Sequence, residues 1–326
     1  MVAPIENQGG APGGFLRQPP PLVTGDKVAL FYPSSHSGDH PASYAQEAQA
    51  QLTAWGLRVE PLPEPEPRHL YLAGTDEQRA GRLQRLYQDP EIKALFAGRG
   101  GYGASRLLPL LDGEALRRAP PKWVVGMSDI TALFAYLHTL GLGGLHGPCL
   151  AAPLHINSPH RAENVAALHT ALFAPATPVA HDLGLLHRPP GLPPLVRAPL
   201  LGGCLAVLAA GVGTPWALDP RGAVLFLEDV DEAPYRVDRY LTQLAQAGRM
   251  EGIKAVILGH FKDCDGRPPG LLARVLKDLF ANAPFPVLTG LPAGHGALNL
   301  PLPLGRQVEL ELGSDSQGGM ASLRWS

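Results

Sequence analysis

The feature that most constrains the fold is the alternation of short apolar runs with helix-like stretches in the first half of the chain. The apolar runs lie at residues 27–32, 92–97 and 122–125. One intervening helix has a well-marked start, because Thr75 and Gln78 have the spacing of a capping box. Strands that alternate with helices indicate a parallel sheet with right-handed crossovers. We therefore predict an α/β fold.

Length and proline content suggest how the chain is divided. At about 150 residues per domain, 326 residues predict two domains. We expect residues 1–22 to form a disordered tail and residues 23–171 to form an N-terminal α/β domain. Residues 172–199 are rich in proline and are interpreted as a linker, which leaves residues 200–326 for a C-terminal domain. Apolar and polar residues alternate at 307–312 and 321–325, a pattern typical of half-exposed strands.

Composition argues against several classes of partner. The formal net charge of -2 favours neither nucleic acid nor an anionic membrane, and an aromatic content of 6% argues against base-stacking platforms. No apolar run approaches the ~20 residues needed to span a bilayer. Three cysteines do not form a disulfide framework, which indicates a reducing compartment. We therefore expect a cytoplasmic protein without nucleic-acid or membrane partners.

A serine, a carboxylate and a histidine each follow a predicted strand and could form an activated nucleophile. Ser128 stands between an apolar strand and a helix, at the sheet edge where open α/β sheets bind ligands. Its alternative role is an ordinary helix N-cap. Glu228 ends the strand at 223–227 and could orient a histidine, although the adjacent Asp229 competes for that role and both could belong to a solvated acidic loop.

His295 lies between Gly294 and Gly296. The flanking glycines let the backbone bend and leave the imidazole accessible, as proton transfer to and from a nucleophile requires. Since the chain has twelve histidines, the alternative is an ordinary loop histidine.

The segment Gly98–Gly103 matches the pattern GxGxxG and could bind a dinucleotide. However, it follows the third predicted strand rather than the first, and no acidic residue ends the next strand to hold a ribose hydroxyl. An oxyanion-binding loop fits better, because glycines let a backbone N–H approach a reacting carbonyl closely. A tight strand-to-helix turn without function is the remaining alternative.

Eight segments in order resemble the LD-carboxypeptidase family of serine peptidases, which includes muramoyltetrapeptide carboxypeptidases and microcin C immunity peptidases. The matching segments are residues 73–79, 99–103, 126–131, 146–148, 227–229, 234–239, 294–295 and 302–305. The resemblance implies a Ser128–Glu228–His295 triad and oxyanion donors from the backbone N–H groups of Gly101 and Asp129. It also implies a flavodoxin-like N-terminal domain, a smaller mixed α/β C-terminal domain with a barrel-like sheet, and a homodimer.

Two positions depart from the family's usual pattern. Met127 stands where the family usually has an aromatic residue, and Cys204 stands where it usually has asparagine. These departures concern contacts beside the nucleophile and the substrate. Cys204 itself could be a reactive thiol, but a buried cysteine is the favoured interpretation.

The sequence therefore predicts a serine carboxypeptidase that releases a terminal D-amino acid from an L,D-peptide bond, with a murein tetrapeptide as the expected substrate. The chemistry requires neither a metal nor an organic cofactor. The alternative within the family is cleavage of a peptidyl- or aminoacyl-nucleotide amide, as in microcin C immunity. Residues 175–197 contain no Tyr, Trp or Phe to stack a nucleobase, which disfavours this alternative. A more distant alternative is a dinucleotide-binding oxidoreductase built on the glycine loop.

Overall fold

The computed structural model describes residues 16–36, 42–61, 68–150, 159–177, 179–313 and 320–325. In chain order, the elements of the first half are β1 (Lys27–Phe31), α1 (Ala42–Ala54), β2 (Arg58–Val59), α2 (Asp76–Gln88), β3 (Ile92–Ala97), α3 (Ala104–Leu107), α4 (Gly113–Arg118), β4 (Trp123–Gly126), α5 (Ile130–Thr139), β5 (Gly144–His146) and α6 (Arg161–Phe173). A 3-10 turn at Leu108–Leu110 follows α3.

Among the described residues, the second half supplies three helices and all of the remaining strands. Its elements are β6 (Val179–His187), β7 (Leu195–Cys204), α7 (Leu205–Ala210), β8 (Val224–Val230), α8 (Pro234–Gln246), β9 (Ala255–Lys262), α9 (Leu271–Leu279), β10 (Val287–Thr289), β11 (Leu302–Leu304), β12 (Gln307–Leu312) and β13 (Met320–Trp325). No helix within the described ranges combines the length and apolarity that a membrane span requires.

The first sheet has the strand order β11-β5-β4-β3-β1-β2. All neighbours are parallel except β11, which pairs antiparallel with β5. The parallel part has the order 2-1-3-4-5, which is the flavodoxin-like arrangement and confirms the predicted fold of the N-terminal half. Its central strands are buried on both faces, as Leu95, Phe96 and Val124 illustrate, because helices cover each side.

The second sheet is a closed barrel with the strand order β10-β6-β13-β12-β7-β8-β9. Strands β7 to β10 run parallel, whereas β6, β12 and β13 pair antiparallel. Leu183, Phe226, Ile257 and Leu310 belong to one buried cluster of the barrel. A second cluster includes side chains of α7, α8 and α9 together with residues of β8 and β9. The barrel confirms the predicted fold of the C-terminal half.

Two segments differ from their sequence-based predictions, the linker at 172–199 and part of the disordered tail at 1–22. Residues 172–199 contain the end of α6, all of β6 and the start of β7, so most of the prolines mark the turn between two barrel strands. Residues 16–22 of the expected tail are packed: Leu16 and Leu22 are buried, and Trp123 Nε1 donates to the Pro20 carbonyl at 2.9 Å. Residues 1–15 lie outside the described part of the chain.

Candidate active site

Ser128 lies in a sharp turn at the carboxyl end of β4. Helix α5 begins at Ile130, and Asp129 occupies its N-cap position without a side-chain capping bond. Ser128 therefore precedes the cap, with a φ of 61°. A non-glycine residue with positive φ is uncommon, and such strain costs on the order of 1–3 kcal/mol. A strained residue between a strand and a helix is typical of an exposed nucleophile rather than of a helix cap.

The glycine loop after β3 packs directly against this turn. A Cβ built on Gly100 would lie 2.9 Å from Ser128 Cβ and 3.2 Å from its Oγ, so the backbone of the loop approaches the hydroxyl as closely as glycine allows. Gly101 has a φ of 110°, and a Cβ there would lie 2.1 Å from Ser35 Oγ. The loop thus borders Ser128 on one side and the segment after β1 on the other.

A buried carboxylate holds these segments together. Asp129 accepts hydrogen bonds from Ser34 Oγ at 2.6 Å and from the Ala104 N–H at 2.8 Å. Burial raises the pKa of Asp129, although these two hydrogen bonds and the charge of Arg79 oppose the shift. Arg79 is itself buried and donates to the carbonyls of Pro33 and Gly103. The side chain of Asp129 therefore ties the segments after β1 and β3 to the turn that carries Ser128.

Glu228 and His295 form a short contact in the second half of the molecule. His295 Nδ1 lies 2.6 Å from Glu228 Oε2, and the His295 backbone N–H donates to the same oxygen at 3.2 Å. The carboxylate is completely buried, whereas the imidazole remains 18% exposed. Burial acts to raise the pKa of Glu228, but contacts with the His146 and His295 imidazoles outweigh it and lower the pKa to about 2. The result is a buried anion in contact with an accessible histidine.

The competing carboxylate, Asp229, points to other partners. Its oxygens accept from the Ala206 and Val230 N–H groups at 2.9 Å, and the Cys204 thiol lies 3.5 Å away. These contacts place Asp229 at the start of α7 rather than on His295. Burial, together with the charges of Glu228 and Asp229, raises the pKa of Cys204 well above its usual value, so its thiol is poorly suited to act as a thiolate nucleophile.

Asn299 connects the segment of Ser128 to the segment of His295. Its Nδ2 donates to Met127 Sδ at 3.0 Å, and its Oδ1 accepts from the Gly294 N–H at 2.9 Å. Met127 precedes Ser128 and Gly294 precedes His295, so one buried amide links the neighbours of both residues. The buried Asn164 side chain extends this link, since its Oδ1 accepts from the Asn299 N–H at 2.8 Å.

Sequence reasoning assigned no role to Asn299 or to His146. His146 ends β5, is completely buried, and places Nε2 3.6 Å from Glu228 Oε1. The only signal for it was its place in one of the matching segments. Asn299 follows His295 by four residues in a loop, where an asparagine is too common to draw attention.

The described residues contain no group of three His, Cys, Asp or Glu side chains arranged as a metal site would need. Gly98–Gly103 follows the third strand of the chain and lies against Ser128 and Ser35. Its position therefore matches an oxyanion loop better than the first-strand loop of a dinucleotide-binding unit.

Comparisons with known proteins identify the family of this fold. The family model described as the LD-carboxypeptidase N-terminal domain matches residues 28–147, and the model of the C-terminal domain matches residues 197–310. A putative carboxypeptidase of Streptomyces coelicolor is 40% identical over 306 residues, which cover 92% of this chain and 95% of the relative. The murein tetrapeptide carboxypeptidase of Pseudomonas aeruginosa is 34% identical over 291 residues, or 87% of this chain and 93% of that protein.

The fold leads to the same family. The crystal structure of the muramoyltetrapeptide carboxypeptidase from Oxalobacter formigenes superposes with a TM-score of 0.79 at 29% identity, covering 92% of this chain and 98% of that one. These matches extend across both halves of the molecule and confirm the resemblance drawn from the short motifs. The chain belongs to the LD-carboxypeptidase family.

Proposed function

We propose that this protein is a serine carboxypeptidase that hydrolyses an L,D-peptide bond and releases a terminal D-amino acid, with murein stem peptides as its substrates. Family membership and the murein carboxypeptidases among its relatives support the reaction and the substrate class. The observation that carries the proposal is the 2.6 Å contact between His295 Nδ1 and the buried carboxylate of Glu228. This contact leaves His295 Nε2 as the ring nitrogen available for proton transfer.

In the proposed reaction, His295 Nε2 removes the proton from Ser128 Oγ as that oxygen attacks the scissile carbonyl carbon. The backbone N–H groups of Gly101 and Asp129 stabilise the oxyanion of the tetrahedral intermediate. His295 then gives its proton to the amine of the leaving D-amino acid, and the C–N bond breaks. A water molecule, deprotonated by His295, hydrolyses the acyl-enzyme and restores Ser128. Glu228 stays ionised throughout and stabilises the imidazolium.

The proposal includes a cytoplasmic location, a homodimer and a reaction without metal or cofactor. Cleavage of a peptidyl- or aminoacyl-nucleotide amide uses the same chemistry and is the closest alternative. Recognition of a nucleotide calls for an aromatic side chain that stacks on the base. The described residues of the segment 175–197 include no Tyr, Trp or Phe, so the peptide substrate is favoured.

The test is turnover of defined tri-, tetra- and pentapeptides and of an aminoacyl-nucleotide, with products identified by mass spectrometry. We expect D-amino acid release from the tetrapeptide by the native protein, and a loss of at least about 10³-fold in kcat for Ser128→Ala. Ser322→Ala, a substitution in barrel strand β13, serves as the matched control and retains full turnover. Wild-type rates in Ser128→Ala on every accepted substrate would contradict the assigned nucleophile.

A further inference from the structure

His146 and Glu228 face each other in a completely buried position. His146 Nε2 lies 3.6 Å from Glu228 Oε1, slightly beyond the ~3.2 Å upper limit of an ordinary N–H···O hydrogen bond. Neither ring nitrogen of His146 nor Glu228 Oε1 has a hydrogen-bond partner within the part of the chain that the structure describes. Buried polar atoms in native proteins almost always have a hydrogen-bond partner. Two unpartnered atoms that face each other therefore indicate that they hydrogen-bond to one another.

The backbone of His146 lies between the chain segments that lead to Ser128 and away from His295. In the first sheet, His146 pairs with Gly126 of β4 on one side and with Leu302 of β11 on the other. Gly126 precedes Ser128 by two residues, and Leu302 follows His295 by seven. A contact from His146 to Glu228 therefore fixes the barrel carboxylate relative to both the nucleophile and the histidine.

Among the groups that surround Glu228, His146 is the one placed to donate to Glu228 Oε1. The edge of Phe226 packs against the imidazole, with ring centroids 5.1 Å apart and an interplanar angle of 71°. The titratable groups near Glu228 are His146 from β5, His295 from its loop, Cys204 from the end of β7 and the neighbouring Asp229. Asp229 bonds to the start of α7, and His295 bonds to Oε2 rather than to Oε1.

We propose that His146 is a positioning residue for the reaction: its Nε2–H is donated to Glu228 Oε1 and keeps Oε2 on His295 Nδ1. The terminal torsion of a glutamate side chain is broad, so a carboxylate held by one oxygen alone can rotate away from its partner. A second contact on the other oxygen removes that freedom. This inference rests on the proposed function, because it assigns His146 a purpose through Glu228 and His295.

The first test uses the native protein and needs no substitution. Nitrogen-15 NMR of the histidine side chains distinguishes the two neutral tautomers, and we expect His146 to carry its proton on Nε2. A proton on Nδ1, with Nε2 unprotonated at neutral pH, would overturn the proposal, because Nε2 could not then donate to Glu228. This readout depends on neither turnover nor the stability of a variant.

The second test compares His146→Phe with His146→Gln. Phenylalanine keeps an aromatic ring, larger than imidazole, without a donor, whereas glutamine keeps an N–H donor. We expect kcat of His146→Phe to fall roughly 10–100-fold, with KM changed less than about 3-fold, since misplacing a catalytic group by about 1 Å can cost up to 10²-fold. The low-field Nδ1 proton resonance of His295 should weaken in His146→Phe, and His146→Gln should restore both the resonance and most of kcat.

His138→Phe is the matched control, because His138 is also a largely buried histidine with an unpartnered buried ring nitrogen in the described structure. It lies in the last turn of α5, at the opposite end from Ser128, and should leave kcat and the His295 resonance unchanged. If His146→Phe behaves like His138→Phe, the positioning role is wrong. If the native protein cleaves no peptide and Ser128 resists a serine-reactive phosphonate, the proposed function is wrong instead.

Discussion

The first sheet and the barrel hold their parts of the candidate site in different ways. On the sheet side, Ser128 is positioned by its own positive φ, by the close approach of Gly100 and by the hydrogen bonds that the buried carboxylate of Asp129 accepts. On the barrel side, Glu228 and His295 are held by side-chain contacts, and Glu228 Oε1 has no hydrogen bond among the described residues. The sheet side therefore depends on close packing around a glycine loop as well as on one buried carboxylate, whereas the barrel side depends on the charge of Glu228.

The contrast indicates which changes each side tolerates. On the barrel side, a substitution that preserves volume but removes charge should lower kcat and leave the packing intact. On the sheet side, a substitution that adds volume without changing charge should displace the glycine loop from Ser128 and lower kcat. The following predictions test this difference, beginning with the largest expected effect.

The largest effect is expected from Glu228→Gln, which removes the charge and keeps nearly the same volume. Without the carboxylate, His295 loses the partner that fixes its tautomer and stabilises its protonated form, and kcat should fall about 10³–10⁴-fold. Steady-state kinetics on the tetrapeptide measure this effect. Asp229→Asn is the control for the neighbouring carboxylate. It should lower the melting temperature and leave kcat nearly unchanged, because Asp229 bonds to the start of α7.

A smaller loss is expected from Gly101→Ala on the sheet side. The new Cβ would lie 2.1 Å from Ser35 Oγ at a φ of 110°, so the loop must move away from Ser128. A displacement of about 1 Å in a positioned group can reduce kcat by roughly 10²-fold. Gly81→Ala in α2, where a Cβ meets nothing within 4 Å, should leave kcat unchanged. Equal kcat in the two alanine variants would show that the shape of the glycine loop does not matter.

The smallest effects concern how stability depends on pH, and they should have opposite signs on the two sides. The pKa of Glu228 is about 2 in the folded protein and ~4.3 in an unfolded chain, so the unfolded state binds the proton first. Through Glu228, the free energy of unfolding should fall as the pH is lowered from about 5 to about 2. The pKa of Asp129 is raised, so the folded state binds that proton first and acidification stabilises it above pH ~4.

Urea unfolding across this pH range measures both slopes. Glu228→Gln should flatten the loss of stability below pH ~4.3, because the group that is protonated on unfolding is gone. Asp129→Asn should make the loss on acidification steeper, because an opposing contribution disappears. Slopes that change in the same direction in both variants would contradict the proposed difference between the two sides.

The sequence was most informative where local backbone chemistry determines the structure. The apolar runs around Leu95 and Val124 predicted the parallel sheet, and the segment around Ser128 predicted a strand-to-helix turn. Strands β5, β6, β7, β10 and β11 were missed. Prolines surround β6, and β11 is three residues long with Pro303 at its centre. Such strands form through pairing with distant partners, which no local pattern records.

The contacts between side chains were the least predictable part of the site. The distance from His146 to Glu228 depends on how the barrel packs against the first sheet, so the residues around either position do not reveal it. The same holds for Asn299, whose partners Met127 and Asn164 are 172 and 135 residues away along the chain. The competition between Glu228 and Asp229 likewise required coordinates, because adjacent strand residues point to opposite faces.

Strand β11 has a consequence for how the two halves can be separated. It comes from the second half of the chain, yet it forms the border of the first sheet through its pairing with β5. A fragment that ends before residue 302 would leave β5 as an exposed edge strand, paired only with β4, and exposed edge strands promote aggregation. Neither half is therefore a good candidate for expression alone. Any motion that separates the two halves must first break the β5–β11 pairing, in which Leu302 lies opposite His146.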